Sequence, residues 1–395
     1  MREPGWRRIF EATNSEVDVQ KLKGLAPSII IGVMGNSVIY LVPLLVGGMV
    51  TDRGFTESQA GFMASADLGG YAIATFLTAM LLDRFSWRRM ALVGLALMLA
   101  ANVATTFVHD IQLFALVRIA SGLGSGVLAA LASVEIGQSK TPDRNYGFLL
   151  AASLLYGTVA LWGMPVFLTR YGLNSAYWLL VVLAIAVLFV VPSLPEGRAQ
   201  EHDTAPRIGG LNTWVLSGAV LTAILLFWAE QNDVYAYIER IGNASAIRPE
   251  FIGFALGAAN LTGFAGASLV ALLGTRLGRF VPMLLATIIN VGGLLIFSRP
   301  VSPWTYMIVL GAMSLSWNAI NPFQLGVLAN SDPSGKALAL AATVTGAGLA
   351  LGPALGAVAI ERGGYSAALA VGGVLALVSF GLTLVPMWAA RKVAA

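Results

Sequence analysis

The sequence contains twelve apolar runs, each about as long as a helix that crosses a lipid bilayer. They lie roughly at 27–50, 59–82, 89–108, 111–137, 146–168, 175–192, 212–235, 251–274, 280–297, 303–328, 337–360 and 366–389. A helix rises about 1.5 Å per residue, so about 20 apolar residues cross the hydrocarbon core. Since lipid offers no partners for backbone groups, runs of this length must be helical. The sequence therefore predicts an all-α integral membrane protein with twelve transmembrane helices.

Composition supports a lipid-embedded chain and excludes several other classes. Hydrophobic residues make up 57% and charged residues 11%, which leaves too little charge to cover a soluble protein of this size. The net charge of +4 is too small to indicate nucleic-acid binding. The chain has no Cys, and its two His residues, His109 and His202, fall in predicted loops. We therefore expect no metal site, no cofactor and no enzymatic activity.

Two stretches of the chain repeat each other at an offset of 192 residues. Gly61, Phe62, Ala66, Ala79 and Arg84 match Gly253, Phe254, Ala258, Ala271 and Arg276. A repeat of this kind in a membrane chain predicts two pseudo-symmetric halves. We expect an N-terminal extension at 1–24, a six-helix bundle at 25–192, a linker at 193–210 and a second six-helix bundle at 211–390.

The distribution of basic residues predicts the orientation. With twelve spans both termini lie on one side, and that side holds 17 of the 24 Lys and Arg residues, against 6 on the other side. Positive residues favour the cytoplasm, so both termini, the extension and the linker are predicted to be cytoplasmic. We expect a multi-pass protein of the inner (plasma) membrane of a bacterium.

Three sets of residues resemble motifs of the major facilitator superfamily, over nearly all of residues 25–390. The loop after the second span carries Ala79, Asp83, Arg84, Ser86, Arg88 and Arg89, and its second copy carries Ala271, Thr275, Arg276, Gly278 and Arg279. The fourth span carries Arg118, Gly122 and Gly126, and the eleventh carries Gly348, Gly352, Pro353 and Gly356. The resemblance implies a secondary transporter that alternates between two facing states, with a central cavity lined by spans one, four, seven and ten.

The glycine and charge motifs also have a physical interpretation of their own. Gly at every fourth position lets a neighbouring backbone approach one helix face closely. Charges at the cytoplasmic helix ends can pair in one state and separate in the other. The residues of this predicted cytoplasmic gate are Asp83, Arg84, Arg88, Glu135, Arg144, Arg276 and Arg279. The alternative is that these charges only anchor the topology at the lipid surface.

Ionisable residues within spans are costly and therefore indicate function. Asp67 is predicted about 12 Å deep and Arg118 about 10 Å deep from the same side, so both lie in one layer. Our hypothesis is that Asp67 exchanges a proton and that Arg118 is its partner; a permanent ion pair that fixes helix packing is the alternative. Glu230 is a second candidate for protonation or substrate contact, whereas Asp233 is interpreted as an interfacial charge.

Polar and aromatic residues at helical spacing predict a substrate cavity, because amides that faced lipid would lack partners. The candidates are Asn36, Tyr40, Trp228, Gln231, Asn232, Tyr235, Asn260, Trp317, Asn318, Asn321 and Gln324. Hydrogen bonds between helices are the alternative for a single Asn.

Together these patterns predict a monomeric secondary active transporter that moves a small organic solute, such as an organic anion or an aromatic compound. Its partners would be the solute, protons as the coupling ion and the lipid bilayer. A drug or metabolite antiporter working in efflux, a passive facilitator and a non-transporting sensor that kept the fold are the alternatives.

Overall fold

The computed structural model describes residues 19–82, 84–139, 141–194, 211–273, 276, 278–332 and 336–394, and its regular structure there is entirely helical. Most of the predicted N-terminal extension, Asp83 and the linker from residue 195 onward lie outside the described residues. The all-α prediction is confirmed for the described part of the chain.

Apart from the stretch 195–210, which lies outside the described residues, the helices follow one another with short connections. They are α1 (Val19–Arg53), α2 (Glu57–Leu81), α3 (Trp87–Phe107), α4 (Ile111–Gly137), α5 (Pro142–Tyr171), α6 (Asn174–Leu188), a 3₁₀ turn (Val191–Ser193), α7 (Leu211–Ala244), α8 (Pro249–Leu273), α9 (Phe280–Phe297), α10 (Pro303–Ser331) and α11 (Lys336–Ala394). Because connections of a few residues join antiparallel neighbours, consecutive helices cross the bundle in alternating directions.

Nine helical stretches of the described residues are long and apolar enough to cross a membrane. α6 is apolar but shorter, and α10, which carries polar residues along its length, is not one of the nine. The last of the nine, Leu340–Ala389, has 50 residues, more than twice the length that one crossing needs. Within it the backbone leaves helical geometry at Gly363 and Gly364, where Gly364 has φ 67°. This bend falls between the eleventh and twelfth predicted spans; the count of twelve crossings stays a prediction.

Side-chain caps mark where several helices begin. Thr56 caps α2, Asp110 caps α4 and Ser302 caps α10, and each side chain accepts a hydrogen bond from a backbone N–H in the first turn, at 3.1, 2.8 and 3.2 Å. Such caps satisfy amides that have no partner within the helix. The three caps lie at one end of the bundle. The opposite end, where α2, α4 and α6 end and α7 begins, is called the linker end below.

The helices pack as an N-terminal part (19–194) and a C-terminal part (211–394). α2 and α4 pack together in the first part, as α7 and α11 do in the second, and the parts meet where α2 contacts α11, α5 contacts α8 and α1 contacts α7. Gly61 and Gly253, the matched glycines of the repeat, both lie at these junctions. A methyl group at Gly61 would collide with the hydroxyl of Tyr237, and one at Gly253 would collide with Pro165.

The outer surface of the bundle is apolar. Val93, Phe107, Leu155, Phe189 and Leu295 each expose more than 60% of their surface. An apolar surface on this scale requires a lipid environment, as the composition predicts.

Candidate functional site

A cavity of about 320 Å³ lies at mid-length of the bundle, where the two parts meet. It is lined by Asn36, Ile39, Tyr40, Tyr71, Leu150, Leu154, Trp228, Gln231, Asn232, Tyr235, Leu256, Ala259, Asn260, Leu310, Ser314, Trp317, Asn318, Thr345 and Leu349. Amides, hydroxyls, indoles and aliphatic side chains share the wall. None of the described lining residues carries a formal charge.

Nine of the eleven residues predicted for the substrate cavity lie in this wall. They are Asn36, Tyr40, Trp228, Gln231, Asn232, Tyr235, Asn260, Trp317 and Asn318. The helical spacing on α7 and α10 brought most of them onto one face. The prediction missed Tyr71 of α2 and Thr345 of α11, which are single polar positions in otherwise apolar or small-residue stretches.

Several lining side chains are held by hydrogen bonds around the cavity. The Tyr71 hydroxyl donates to Oδ1 of Asn36 at 2.9 Å, within the N-terminal part. The Tyr235 hydroxyl donates to the backbone carbonyl of Tyr40 at 2.9 Å and so connects α7 to α1. On α10, the Asn318 amide donates to the Ser314 carbonyl one turn back at 2.9 Å. These contacts orient the polar groups before any solute binds.

Two residues of the predicted cavity set lie elsewhere, and the prediction is corrected for them. Gln324 is 1% exposed and donates to the hydroxyls of Ser379 at 3.0 Å and Thr383 at 3.4 Å, so it packs against the end of α11. Asn321 lies on the same helix but is not part of the cavity wall. Helical spacing places these residues on the same face of α10 as Trp317 and Asn318. Towards the linker end, however, this face packs against other helices and does not border the cavity.

Asp67 and Arg118 form a buried ion pair between α2 and α4. Nε of Arg118 lies 3.0 Å from Oδ2 of Asp67, and Nη2 contacts the same oxygen. The guanidinium also donates to Asn102 at 3.1 Å, Thr105 at 3.2 Å and Ser121 at 3.0 Å, and it lies over the ring of Tyr177. Each guanidinium nitrogen thus has a protein partner, and neither residue lines the cavity.

Glu230 and Asp233 form a second buried acidic cluster, on α7. Both are fully buried, so Asp233 is not the interfacial charge that the sequence indicated. Glu230 accepts one hydrogen bond, from the amide of Asn290 at 3.2 Å, while its Oε2 and both carboxyl oxygens of Asp233 have no hydrogen-bond partner. In contrast to Asp67, these carboxyl groups have no basic partner among the described residues.

Trp317 connects the cavity to this acidic cluster. Its ring forms part of the cavity wall, and its indole N–H lies beside the carboxyl group of Glu230. Neither Nε1 of Trp317 nor Oε2 of Glu230 has a hydrogen-bond partner among the described residues. One residue therefore borders both sites.

The described residues of the predicted cytoplasmic gate lie at the linker end and contact their own part of the protein. Nε of Arg88 donates to the carbonyl of Leu194 at 2.7 Å, Glu135 lies beside Ser28, and Arg144 lies over the ring of Phe148. In the C-terminal part, Arg279 lies against Gly326 of α10. Arg84 and Arg276 are exposed, and Asp83 lies outside the described residues. Each of these contacts lies within one of the two parts.

An ion pair that no sequence pattern indicated joins the two parts at the end opposite the linker. Nε of Arg240 on α7 donates to Oε1 of Glu57 on α2 at 2.9 Å, with side-chain exposures of 18% and 22%. Ser65 of α2 also donates to the carbonyl of Ala350 on α11 at 2.7 Å. The sequence gives little indication of the Glu57–Arg240 pair, because both residues lie next to loops, where charged residues of either sign are common.

The glycine motifs lie at close helix contacts. On α4, a methyl group at Gly122 would collide with the carbonyl of Asp67, and one at Gly126 would collide with the carbonyl of Tyr71. On α11, Gly348, Gly352 and Gly356 face α7 in the same way, from Leu225 to Tyr237, and the carbonyl of Pro353 accepts a hydrogen bond from Tyr237 at 3.2 Å. The two motifs thus bring α4 onto the helix of Asp67 and α11 onto the helix of Glu230.

A larger apolar groove of about 640 Å³ lies between α1, α5 and α6. Leu155, Val159 and Phe167 in its wall expose more than half of their surface, and among the described residues of this wall Tyr156 alone has a polar side-chain group. Specific solute sites need placed polar groups. We therefore interpret this groove as part of the lipid-facing surface.

Comparison with known proteins agrees with this architecture. The chain is 22% identical over 315 residues to the "Uncharacterized MFS-type transporter YceJ" of Bacillus subtilis (strain 168), a match that covers 77% of this chain and 80% of the relative. Its fold resembles that of the peptide transporter POT in complex with sulfate (14% identity, 94% of each chain covered, TM-score 0.74). It also resembles a mutant of the nucleoside transporter NupG (13% identity, 93% of this chain and 98% of the other, TM-score 0.71).

The family assignment rests on most of the chain. Residues 25–313 match the sequence pattern of the Major Facilitator Superfamily, which is a family of transporters and not of enzymes. This match includes both the Asp67–Arg118 layer and most of the cavity wall. The resemblance inferred from the sequence motifs is therefore confirmed, and the chain is a multi-pass membrane protein that belongs to the Major Facilitator Superfamily.

Proposed function

We propose that this protein is a secondary active transporter that moves a small organic solute across the bacterial inner membrane, as a monomer with twelve spans. The observation that carries the proposal is the mid-membrane cavity, in which polar groups from both parts of the protein converge. A site between two helical bundles at the bilayer midplane is the arrangement that alternating access requires. POT and NupG, which share the fold, are transporters of small organic molecules by name.

The contacts between the two parts support an inward-facing conformation. The Glu57–Arg240 pair and the Ser65–Ala350 bond join the parts between the cavity and the end opposite the linker. The linker end carries the excess of Lys and Arg, so it is the cytoplasmic end in this proposal, as are both termini. Transport would break the outer contacts and bring the linker-end charges together, as in other switches that exchange interface ion pairs.

Glu230 is the residue to which we assign the coupling proton. A carboxyl group buried without a cation is stable when it carries a proton, because an unpaired charge in this environment is costly. Asp67 has Arg118 and its hydrogen-bonded shell to stabilise its charge. We therefore assign the Asp67–Arg118 pair to holding α2 against α4, the second of the two roles considered from the sequence.

Trp317 supplies the connection that coupling needs. Because its ring faces the cavity and its N–H faces Glu230, a solute that displaces the ring also changes the surroundings of the carboxyl. Solute occupancy and protonation then bias the same conformational equilibrium, which is the condition for coupling.

Flux measurements in proteoliposomes test the proposal. The purified protein is reconstituted, a pH gradient is imposed, and uptake of radiolabelled candidate solutes is measured with and without a protonophore. The proposal predicts saturable flux that the gradient accelerates and the protonophore slows. Flux that is saturable but indifferent to the gradient would make the protein a facilitator, and no flux of any solute would remove the transport function.

A further inference from the structure

The side chains of the cavity wall indicate the charge of the solute. Its polar groups are amides, hydroxyls and indoles, and no described lining residue is acidic or basic. An ionised solute held at mid-membrane needs a counter-charge, since burying an unpaired charge costs far more than one hydrogen bond returns. The wall provides no such counter-charge.

The buried arginine does not supply one from behind the wall. Arg118 uses all three guanidinium nitrogens on Asp67, Asn102, Thr105 and Ser121, and it lies outside the cavity. Arg240 and Arg53 are similarly engaged near the end opposite the linker, Arg240 with Glu57 and Arg53 with backbone carbonyls at the end of α3. An organic anion, which the sequence left open, therefore meets no available cation among the described residues around the cavity.

The polar groups that do line the cavity suit hydroxyl groups. Each Asn or Gln side chain offers both a donor and an acceptor, and so does each Tyr, Ser or Thr hydroxyl. Asn36, Gln231, Asn232, Asn260 and Asn318 provide amides from α1, α7, α8 and α10. A solute hydroxyl also donates and accepts, so a ring that carries several of them can bond to several helices at once.

The remaining wall suits an apolar face on the same solute. Trp228 and Trp317 present indole rings, and Leu256, Leu310 and Leu349 add aliphatic surface. The volume of about 320 Å³ lies at the low end of the range for small-molecule sites, roughly 300–1,000 Å³. The cavity thus has room for one or two small rings.

From these observations we infer that the transported solute is uncharged and polyhydroxylated, with one apolar face, as in a sugar or a nucleoside. The inference rests on the proposed transport function and names the substrate class of the same cavity. Because such a solute is uncharged, it does not balance the charge of the coupled proton. Each proton-coupled transport cycle therefore moves net charge across the membrane.

Binding to the purified full-length protein tests this class directly. The unfolding midpoint in detergent is measured against rising concentrations of maltose, uridine, citrate, benzoate and choline. We expect a saturable rise in the midpoint with maltose or uridine and none with the three ions. Asn318→Leu should weaken that binding about tenfold or more, because a buried hydrogen bond to the solute is lost. Asn321→Leu is the matched control on the same helix, outside the cavity wall, and should bind as the unaltered protein does.

The outcomes separate this inference from the transport function. Saturable stabilisation by citrate, benzoate or choline that Asn318→Leu removes would overturn the uncharged class, while flux of that ion in proteoliposomes would keep the transporter. Stabilisation by maltose or uridine that is equal in Asn318→Leu would show an excluded-solute effect and would also overturn the inference. Specific binding of maltose or uridine without any flux would support the class and contradict the transport function.

Discussion

Glu57 and Arg240 form an ion pair between α2 and α7 that joins the two parts of the protein, with 2.9 Å between Oε1 and Nε. Because both side chains are partly exposed, the pair adds less than about 1 kcal/mol to stability. The pair connects the parts on one side of the cavity, so in the proposed transport cycle its loss would shift the balance between the two facing states.

Breaking this pair should expose the cavity to the outside. The chain has no native Cys, so Ser314→Cys gives a single reporter thiol in the cavity wall. In that background, Glu57→Gln should increase the rate at which a membrane-impermeant maleimide labels the thiol from outside. The charge-swapped double variant, Glu57→Arg with Arg240→Glu, should restore slow labelling. Equal labelling rates in all three proteins would contradict a role in closing the outer side.

Replacing Glu230 should uncouple transport from the pH gradient. Glu230→Gln keeps the shape of the side chain and the hydrogen bond with Asn290 but removes the titrating group. We expect loss of gradient-driven accumulation, measured in proteoliposomes, with solute exchange across the membrane retained. Glu250→Gln, at an exposed position of α8, is the control and should keep full accumulation. If Glu230→Gln retained gradient-driven accumulation, the coupling proton would have to be carried by another residue.

The Asp67–Arg118 pair should contribute to stability more than to coupling. Arg118→Met leaves Asp67 buried without its cation, which costs about 3–5 kcal/mol. The unfolding midpoint in detergent should fall sharply, and the double variant with Asp67→Leu should recover most of the loss. Gradient-driven transport by Asp67→Asn, normalised to folded protein, should persist. Loss of gradient-driven transport in Asp67→Asn would instead support the hypothesis that the sequence suggested, in which Asp67 exchanges the coupling proton.

Removing the indole N–H of Trp317 should weaken coupling without abolishing binding. Trp317→Phe keeps an aromatic ring in the cavity wall but takes away the donor beside Glu230. We expect a smaller accumulation ratio at the same pH gradient, with solute affinity changed by less than about tenfold. Trp228→Phe, which changes the other indole of the wall, should leave the accumulation ratio unchanged. An equal fall in the accumulation ratio for Trp317→Phe and Trp228→Phe would show that both substitutions act only by changing the cavity wall. It would contradict a coupling role for the indole N–H of Trp317.

A side chain at Gly122 should separate α4 from α2. Gly122→Val places methyl groups against the carbonyl of Asp67, and overpacking of this kind costs about 1–3 kcal/mol or more. The unfolding midpoint should fall. Gly218→Ala in α7, where no atom lies within 4 Å of the added methyl, is the control and should be neutral or slightly stabilising. A midpoint that is unchanged in Gly122→Val would contradict the close packing.

Periodicity predicted the faces of the helices but not what those faces meet. On α10, Trp317 and Asn318 face the cavity, whereas Gln324, on the same predicted stripe, bonds with Ser379 and Thr383. Whether a residue on this face borders the cavity or another helix depends on where along α10 the helix α11 packs against it. That position is set by tertiary packing. The burial of Asp233 has the same origin, since Gly356 and Gly372 bring α11 over it.

Depth along a helix was a better guide for Asp67 and Arg118, because two residues in one layer of adjacent spans are within reach of each other. The Glu57–Arg240 pair had no comparable signal. Its two residues are 183 positions apart, and only the approach of α2 to α7 makes them neighbours.

The two repeat glycines have a mechanical consequence. Gly61 belongs to the N-terminal part and contacts Tyr237 of the other part, while Gly253 belongs to the C-terminal part and contacts Pro165 of the first. Each part thus presents the same residue of its repeat to its partner. Under the pseudo-twofold symmetry that the repeat predicts, a rotation of one part against the other changes both contacts by the same amount.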